Sequence, residues 1–332
     1  MSQVGTKVDI RSQAIVVLNA LKLLLPDVGG AICQINLVKS CSNPDRKNTR
    51  YLEMSVNLES QIKKDAGKYV STIITDALET TDGVSEFKFE TFSDGRLAAL
   101  PIDGYAQIGA WFNRFPARDQ VQALGGTDNH LSYLKFFHTQ IVFKNGEELR
   151  IFSKSSNTKA VCRGVIASLL GDRYEFVDPK KSLVLNIRPS FFVWRNIIFL
   201  NSYKHFESIL NFREITQSVA DDVCKDLFDI IPVTDPAGLK AALFSGPRKL
   251  NKIASLQHKP HVSHLAMNRV KKLIEDKKLP IKIIKVDNVE TLSVDPNNNE
   301  QVTAYLHILN DDYLLSLLTD MSYIGIAKDV FT

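Results

Sequence analysis

The residues around Asn145 and Gly146 constrain the fold of this chain more than any other stretch. Strand-like runs at 138–143 and 148–152 flank them. Asn-Gly between two such runs is typical of a type I′ turn, because both central residues of that turn need positive φ and these two tolerate it best. The sequence therefore predicts an antiparallel β-hairpin here, and with it a sheet that contains antiparallel strands.

The apolar pattern changes character near residue 200. Before it, helical periods at 11–25 and 58–79 alternate with strand-like runs, whereas beyond Ser202 the helical period is nearly continuous and proline residues interrupt it. We predict helices at 158–170, 203–212, 215–231, 237–244, 248–256, 262–278, 301–308 and 313–318. The pattern indicates an α+β protein with a mixed α/β domain over 1–200, which contains antiparallel hairpins, and a mainly helical domain over 201–332.

Charge is strongly segregated in the second predicted domain. Residues 246–285 carry eleven lysines and arginines against two acids, a net of +9, and the segment that follows, 286–332, has a net of −7, although the whole chain is only +4. Such a basic face neutralises phosphates and binds DNA without reading its sequence. The predicted DNA-binding residues are Arg248, Lys249, Lys252, Lys259, Arg269, Lys271, Lys272, Lys277, Lys278, Lys282 and Lys285.

Three other interpretations of the basic segment stay open at this point. The cations can be a solvated surface, can contact anionic lipid head groups, or can be neutralised by the acidic segment of the same or another subunit. Few aromatic side chains lie among the lysines, so base stacking and sequence readout are not indicated. A docking or structural protein with no DNA affinity is therefore a second hypothesis.

Catalytic signatures are weak. Neither GxxxxGK[ST], GxGxxG, GxSxG nor HExxH occurs, and we predict no cofactor. His258, His261 and His264 are spaced at three residues, but positions i, i+3 and i+6 drift around a helix and Pro260 interrupts the run. The histidines therefore predict no metal site.

One fragment is similar to the metal-binding part of nucleases. Glu86 and Lys88 form an ExK pattern on a predicted strand, with Asp76 or Asp82 upstream, and two carboxylates beside a lysine can hold Mg²⁺ at a phosphate. Alternating charge on the wet face of a strand produces the same letters. A metal-dependent nuclease stays an alternative hypothesis, and we favour a protein that is not an enzyme.

Length, hydropathy and cysteine usage indicate a cytoplasmic protein. The most apolar run, 14–25, is shorter than the roughly 18 residues that a membrane-spanning helix needs, and Asn19 and Lys22 interrupt it. The four cysteines include no CxxC pair, as expected of reduced thiols.

The C-terminal string LNDDYLLSLLTD at 309–320 resembles the closing motif of the KwaB-like family. The resemblance extends upstream through the hairpin at Asn145 and Gly146 and covers about the last 200 residues. The motif residues are Phe206, Glu207, Asp311, Asp312, Tyr313, Leu314, Ser316, Thr319, Tyr323 and Lys328. These residues are expected either to have a structural role or to form a surface that binds a partner. Asp311 and Asp312 would lie at the N-terminus of the helix predicted at 313–318, where carboxylates are favourable.

The resemblance implies a role in the bacterial Kiwa anti-phage defence system. Members of the KwaB-like family are its cytoplasmic component, implied to bind DNA and to work with a membrane-embedded partner, KwaA. The implied protein is an effector not known to be an enzyme, and recruitment to the inner face of the cell membrane by its partner is expected. We expect a homodimer or a higher homo-oligomer.

Overall fold

The structure, a computed structural model, describes residues 9–89, 96–125, 133–155, 167–170, 173–176, 185, 187–315 and 322–324. The chain divides into two compact units. Unit 1 comprises Met1–Phe87 and Phe92–Phe212, and unit 2 comprises Lys88–Thr91 and Arg213–Thr332. Helices and a largely antiparallel sheet are both present, which confirms the predicted α+β class.

Unit 1 is built on a nine-stranded sheet. Its strands are β1 Ile32–Val38, β2 Thr49–Tyr51, β3 Val84–Glu86, β4 Leu97–Pro101, β5 Gln122–Ala123, β6 Phe136–Val142, β7 Glu148–Lys154, β10 Phe191–Trp194 and β11 Ile197–Leu200. Their order is β3-β4-β11-β10-β7-β6-β1-β2-β5. Only the outermost pairs, β3 with β4 and β2 with β5, are parallel. A separate hairpin pairs β8 Ala167–Leu170 with β9 Arg173–Phe176, so the helix predicted at 158–170 is wrong at its end; 158–166 lie outside the described residues.

Within the described residues, four helices accompany this sheet: α1 Ile10–Leu24, α2 Val56–Glu79, α3 Ala106–Phe112 and α4 Tyr203–Leu210. Because strand side chains alternate between faces, the sheet has two apolar sides. One side packs with α1 and α2, where Leu18, Val70 and Phe137 are fully buried. The other carries aromatic residues, among them Phe152, whose ring stacks on Phe191 with centroids 4.6 Å apart.

Helix α1 is apolar on its exposed side as well as on its packed side, since Val16 and Leu23 remain 67% and 80% exposed. Ile10–Gly30 is long and apolar enough to cross a membrane by length and composition, the one such helix within the described part of the chain. Ala14, Leu18 and Leu21 on it are buried in the core of unit 1. Asp9 caps its start by accepting from the backbone N–H of Arg11 at 3.1 Å.

The hairpin predicted at Asn145 and Gly146 is present as β6 and β7, but its turn is of another class. Gly146 has φ +84°, whereas Asn145 is not in the positive-φ region. The Gly146 N–H donates to the Phe143 carbonyl and the Phe143 N–H to the Glu147 carbonyl, both at 2.9 Å. This is a three-residue loop with glycine at the left-handed position, so only one residue needs positive φ.

Unit 2 holds the other elements of the described residues. Its helices are α5 Phe212–Ile230, which begins at the last residue of unit 1, α6 Pro236–Phe244, α7 Pro247–Ser255, α8 Met267–Lys277 and α9 Asn299–Leu309. Two short hairpins pair β12 Lys282–Val286 with β13 Val289–Ser293, and β14 Tyr313–Leu315 with β15 Ser322–Ile324. The helix predicted at 313–318 is therefore wrong where it is described, since Tyr313–Leu315 is a strand.

Candidate nucleic-acid interface

The structure divides the basic segment into an exposed and a half-buried set. Its cations lie on α7, between the 3₁₀ turns Leu256–His258 and Pro260–His264, on α8 and directly after it, and on β12. The exposed set is Arg248, Arg269, Lys272, Lys278, Lys282 and Lys285. The half-buried set is Lys249, Lys252, Lys259, Lys271 and Lys277.

Two lysines of the half-buried set lie at the C-terminal end of α9. This helix closes with Asp311 in the left-handed region at φ +52°. The Asp312 N–H donates to the His307 carbonyl at 2.9 Å and the Asp311 N–H to the Ile308 carbonyl at 3.1 Å, the bonding pattern of a Schellman motif. The helix dipole is negative at this end, so carboxylates here need nearby cations.

Lys252 of α7 and Lys259, which lies between the two 3₁₀ turns, reach this end of the helix. Lys252 Nζ lies 3.1 Å from Asp312 Oδ2, and His307 Nδ1 lies 2.8 Å from the same oxygen. Lys259 Nζ donates to Asn310 Oδ1 at 2.7 Å. We call these five residues the α9 clamp. Asp312 retains only 8% side-chain exposure and Lys252 keeps 27%, so the clamp joins a nearly buried carboxylate to a half-buried lysine and connects the basic segment to the acidic one.

The clamp corrects the interpretation of Asp311 and Asp312. They close the C-terminus of α9 rather than opening a helix, because the residues after them form β14. Asp312 is stabilised by Lys252 and not by a helix N-terminus. Sequence reasoning missed His307 as its second partner, although Asn310-Asp311 directly after an apolar helical period is a recognisable C-terminal stop.

The other motif residues are spread over the fold. Phe206 is fully buried in the aromatic side of unit 1, 4.9 Å from Phe212 between ring centroids, and Glu207 is half-buried on α4. Leu314 and Tyr323 are paired across the β14–β15 hairpin. Ser316, Thr319 and Lys328 lie outside the described residues.

Two further lysines of the half-buried set contact their own chain. Lys271 Nζ on α8 lies 2.8 Å from Glu290 Oε1 on β13, and Lys249 Nζ donates to Asn299 Oδ1 at 2.9 Å. The hydrogen bond from Lys271 and its positive charge lower the pKa of the Glu290 carboxyl, and Glu290 in turn raises the pKa of Lys271. The acidic segment thus neutralises part of the basic one within a single chain.

The residues considered for metal binding are not gathered into a metal centre in the described part of the chain. Asp76 and Glu86 are exposed in unit 1, and Asp82 pairs with Arg11 at 3.1 Å. Lys88 is exposed. Over the ranges that the structure describes, no group of three His, Cys, Asp or Glu residues could hold an ion.

The central histidine of the string at 258, 261 and 264 contacts the end of α9. His261 Nε2 lies 2.8 Å from the Leu309 carbonyl, which is one of the acceptors left open at the end of a helix. His264 is exposed on the same 3₁₀ turn. His261 thus belongs to the environment of the α9 C-terminus, beside the clamp.

Comparison with known protein families gives a match. A family model described as Kiwa protein KwaB-like matches residues 134–319, which is more than half of the 332-residue chain. Curated proteins and solved structures give no match. The matched range begins just before β6 and includes the whole basic segment, α9 and the clamp.

Proposed function

This chain belongs to the KwaB-like family, and from that premise we propose that it is the DNA-binding component of a Kiwa anti-phage defence system. The observation that carries the proposal is the exposed set of cations on α7, α8 and β12. Six basic side chains, Arg248, Arg269, Lys272, Lys278, Lys282 and Lys285, are exposed within 38 residues of sequence. A surface of this kind releases counterions from the DNA backbone.

The proposal restricts the interface to the exposed set. Lys252, Lys259 and Lys271 donate to acceptors of their own chain, and a phosphate would have to replace those acceptors. Among the exposed cations, Arg269 donates to the His264 carbonyl at 3.4 Å and Lys285 lies opposite Glu290 in the hairpin. The side chains of Arg248, Lys272, Lys278 and Lys282 have no such acceptor among the contacts of the described residues. Backbone contacts carry no sequence information, so the binding is sequence-independent.

Charge reversal tests the interface directly. Lys272→Glu combined with Lys282→Glu is expected to lower the affinity for duplex DNA by at least about tenfold at physiological salt, measured by fluorescence anisotropy. The wild-type affinity should fall with salt by about 0.9 logarithmic units per logarithmic unit for each phosphate contacted. The matched control is Lys64→Glu with Lys68→Glu, two exposed lysines on α2, which should bind as the wild type does. Equal losses in both variants would refute the site.

A docking protein without DNA affinity is the second candidate function. The α9 clamp favours it for one part of the basic segment, because Lys252 and Lys259 already have partners. The absence of any binding to duplex DNA even at low salt would support this candidate over the first.

We further propose, from the family premise, that the protein is cytoplasmic, assembles as a homo-oligomer, and is recruited to the inner face of the membrane by a multi-span KwaA-like protein. Co-purification of a tagged chain with such a membrane protein, encoded by a neighbouring gene, tests the partner. Sedimentation of the purified chain tests the oligomer. Recovery of the chain without any membrane partner under gentle detergent extraction would contradict the recruitment.

A further inference from the structure

The β12–β13 hairpin has one covered and one open edge. Its turn, Asp287-Asn288, has φ +48° and +66°, the type I′ geometry that suits a two-residue hairpin. Beside β13, the Leu292 N–H donates to the Pro232 carbonyl at 2.8 Å and the Thr234 N–H to the Leu292 carbonyl at 3.0 Å. The outer edge of β13 is thus already paired with a short extended segment.

The outer edge of β12 presents backbone groups that point away from the hairpin. Val286 and Val289 flank the turn, and in a two-residue hairpin such a pair exchanges both hydrogen bonds. The pairing alternates, so the N–H and C=O groups of Ile283 and Lys285 face outward. No strand of the described residues lies beside them, and Lys285 is exposed.

A groove of about 410 Å³ adjoins this edge. Ile274 of α8 and Ile283 of β12 are among its apolar lining residues, and Lys271 and Lys285 line it with Glu290. On the opposite face of the hairpin Ile284 and two valines, Val286 and Val289, remain 40%, 44% and 52% exposed. Both faces of the open edge thus offer apolar contacts.

We propose that the outer edge of β12 is a docking site for an extended peptide segment of a partner protein, added as a third strand. Ile283 and Lys285 supply the backbone hydrogen bonds, and the groove against α8 receives an apolar side chain of the segment, as in other strand-addition complexes. Charge selects the partner. Lys282 and Lys285 lie on the edge itself, and the residues from Arg269 to Lys285 carry seven cations against two acids, so the segment is acidic at its ends.

This occupant fits the edge better than the alternatives. A second copy would bring Lys282 and Lys285 of its own β12 to the same edge, and like charges close together are destabilising. Duplex DNA has no peptide edge to pair with, and phosphates gain nothing from the apolar groove. Lysines can also serve only to protect an edge from aggregation, and the experiment separates that role from docking.

The test uses a synthetic peptide of alternating valine and threonine with an aspartate at each end, added to the full chain. We expect saturable binding in titration calorimetry and slower hydrogen exchange at the Ile283 and Lys285 amides, since these are the groups that become bonded. Lys285→Pro should weaken binding about tenfold, because proline removes one outward N–H that an edge strand does not use internally.

Two further variants keep the inference falsifiable. Lys282→Glu with Lys285→Glu preserves the backbone edge and should abolish binding of the acidic peptide while a lysine-ended version of the same peptide now binds. Lys64→Glu with Lys68→Glu on α2 should change nothing. No peptide binding by the wild-type chain, or protection of the two amides by duplex DNA but not by the peptide, overturns the proposal without affecting DNA binding through Arg248, Arg269 or Lys272.

Discussion

Two regions of the basic segment use the same residue types for opposite purposes. At the α9 clamp, Lys252 and Lys259 reach side chains that follow the buried C-terminal end of α9, and Asp312 is almost buried between Lys252 and His307. On α8 and β12, Lys272 and Lys282 extend into solvent. Net charge along the sequence is similar in the two regions, and the difference arises from the acceptors that the fold places within reach.

The comparison shows why a run of positive charge is a poor guide to a binding surface. A lysine at the negative end of a helix dipole stabilises the fold, whereas a solvated lysine contributes little to stability and keeps its charge available to a polyanion. Mutations in the first region should therefore act on folding, and mutations in the second on binding.

The largest expected effect is the loss of the clamp carboxylate. Asp312→Asn leaves Lys252 without its nearly buried counter-charge, and we expect the free energy of unfolding to fall by about 2 kcal/mol. This is less than the roughly 3–5 kcal/mol of a fully buried pair, because Lys252 keeps 27% side-chain exposure. Urea denaturation measures it. Asp276→Asn, the same charge change on the exposed surface of α8, should stay within about 0.5 kcal/mol; equal losses would show that Asp312 is not clamped.

A second pair of variants compares the two regions in DNA binding. Lys272→Gln with Lys282→Gln removes two exposed charges and should weaken duplex binding about tenfold, with a salt slope smaller by about 1.8. Lys252→Gln with Lys259→Gln removes two charges of the clamp and should leave affinity within about twofold. Anisotropy titrations at several salt concentrations measure both. If the clamp variant loses as much affinity as the exposed one, the division between the regions is wrong.

The β12–β13 turn offers a third, smaller effect. Asn288 has φ +66°, and replacing it by alanine should cost about 1 kcal/mol because a Cβ is crowded in the left-handed region. Hydrogen exchange at the Ile284 amide, which is bonded within the hairpin, reports the local opening. Asn288→Gly should leave that exchange unchanged or slower. The hairpin carries Lys282 and Lys285, so a frayed turn would also show how far DNA binding depends on their fixed spacing.

Local patterns in the sequence were sufficient for much of the fold. The hairpin at Gly146 and most of the proline-separated helices of 203–278 follow from turn chemistry and helical periodicity, which act over a few residues. The helix predicted at 262–278 is wrong at its start, because Pro260–His264 is a 3₁₀ turn, Ala266 is extended and the helix begins at Met267. The turn class at Gly146 was not predicted correctly, because a three-residue loop and a two-residue turn share the same Asn-Gly signal.

The candidate site depends on contacts that local patterns do not contain. Lys252 contacts Asp312 across 60 positions of sequence, and the local sequence around either residue gives no indication of the other. The strand at Tyr313 was mistaken for a helix because Tyr-Leu-Leu is apolar enough for both, and short apolar runs do not distinguish them. The Asp287-Asn288 turn was missed although its left-handed residues are a local hairpin signal.

The smallest expected effect concerns the surface pair Lys271 and Glu290, which stands between the two regions. The lowered pKa of Glu290 means that its contribution to stability is present above the pKa of an unfolded glutamate and is lost as pH falls through the folded value. The pKa of Lys271 is raised, so the contribution of this lysine to stability is present at lower pH and is lost as pH rises through its folded value. A carboxyl NMR titration should show Glu290 titrating at higher pH in Lys271→Gln than in the wild type, while Lys272→Gln leaves it in place. About 1 M salt should reduce the difference, since this pair is solvent-exposed. If Glu290 titrates at the same pH in Lys271→Gln and in the wild type, Lys271 belongs with the exposed lysines and not with the paired ones.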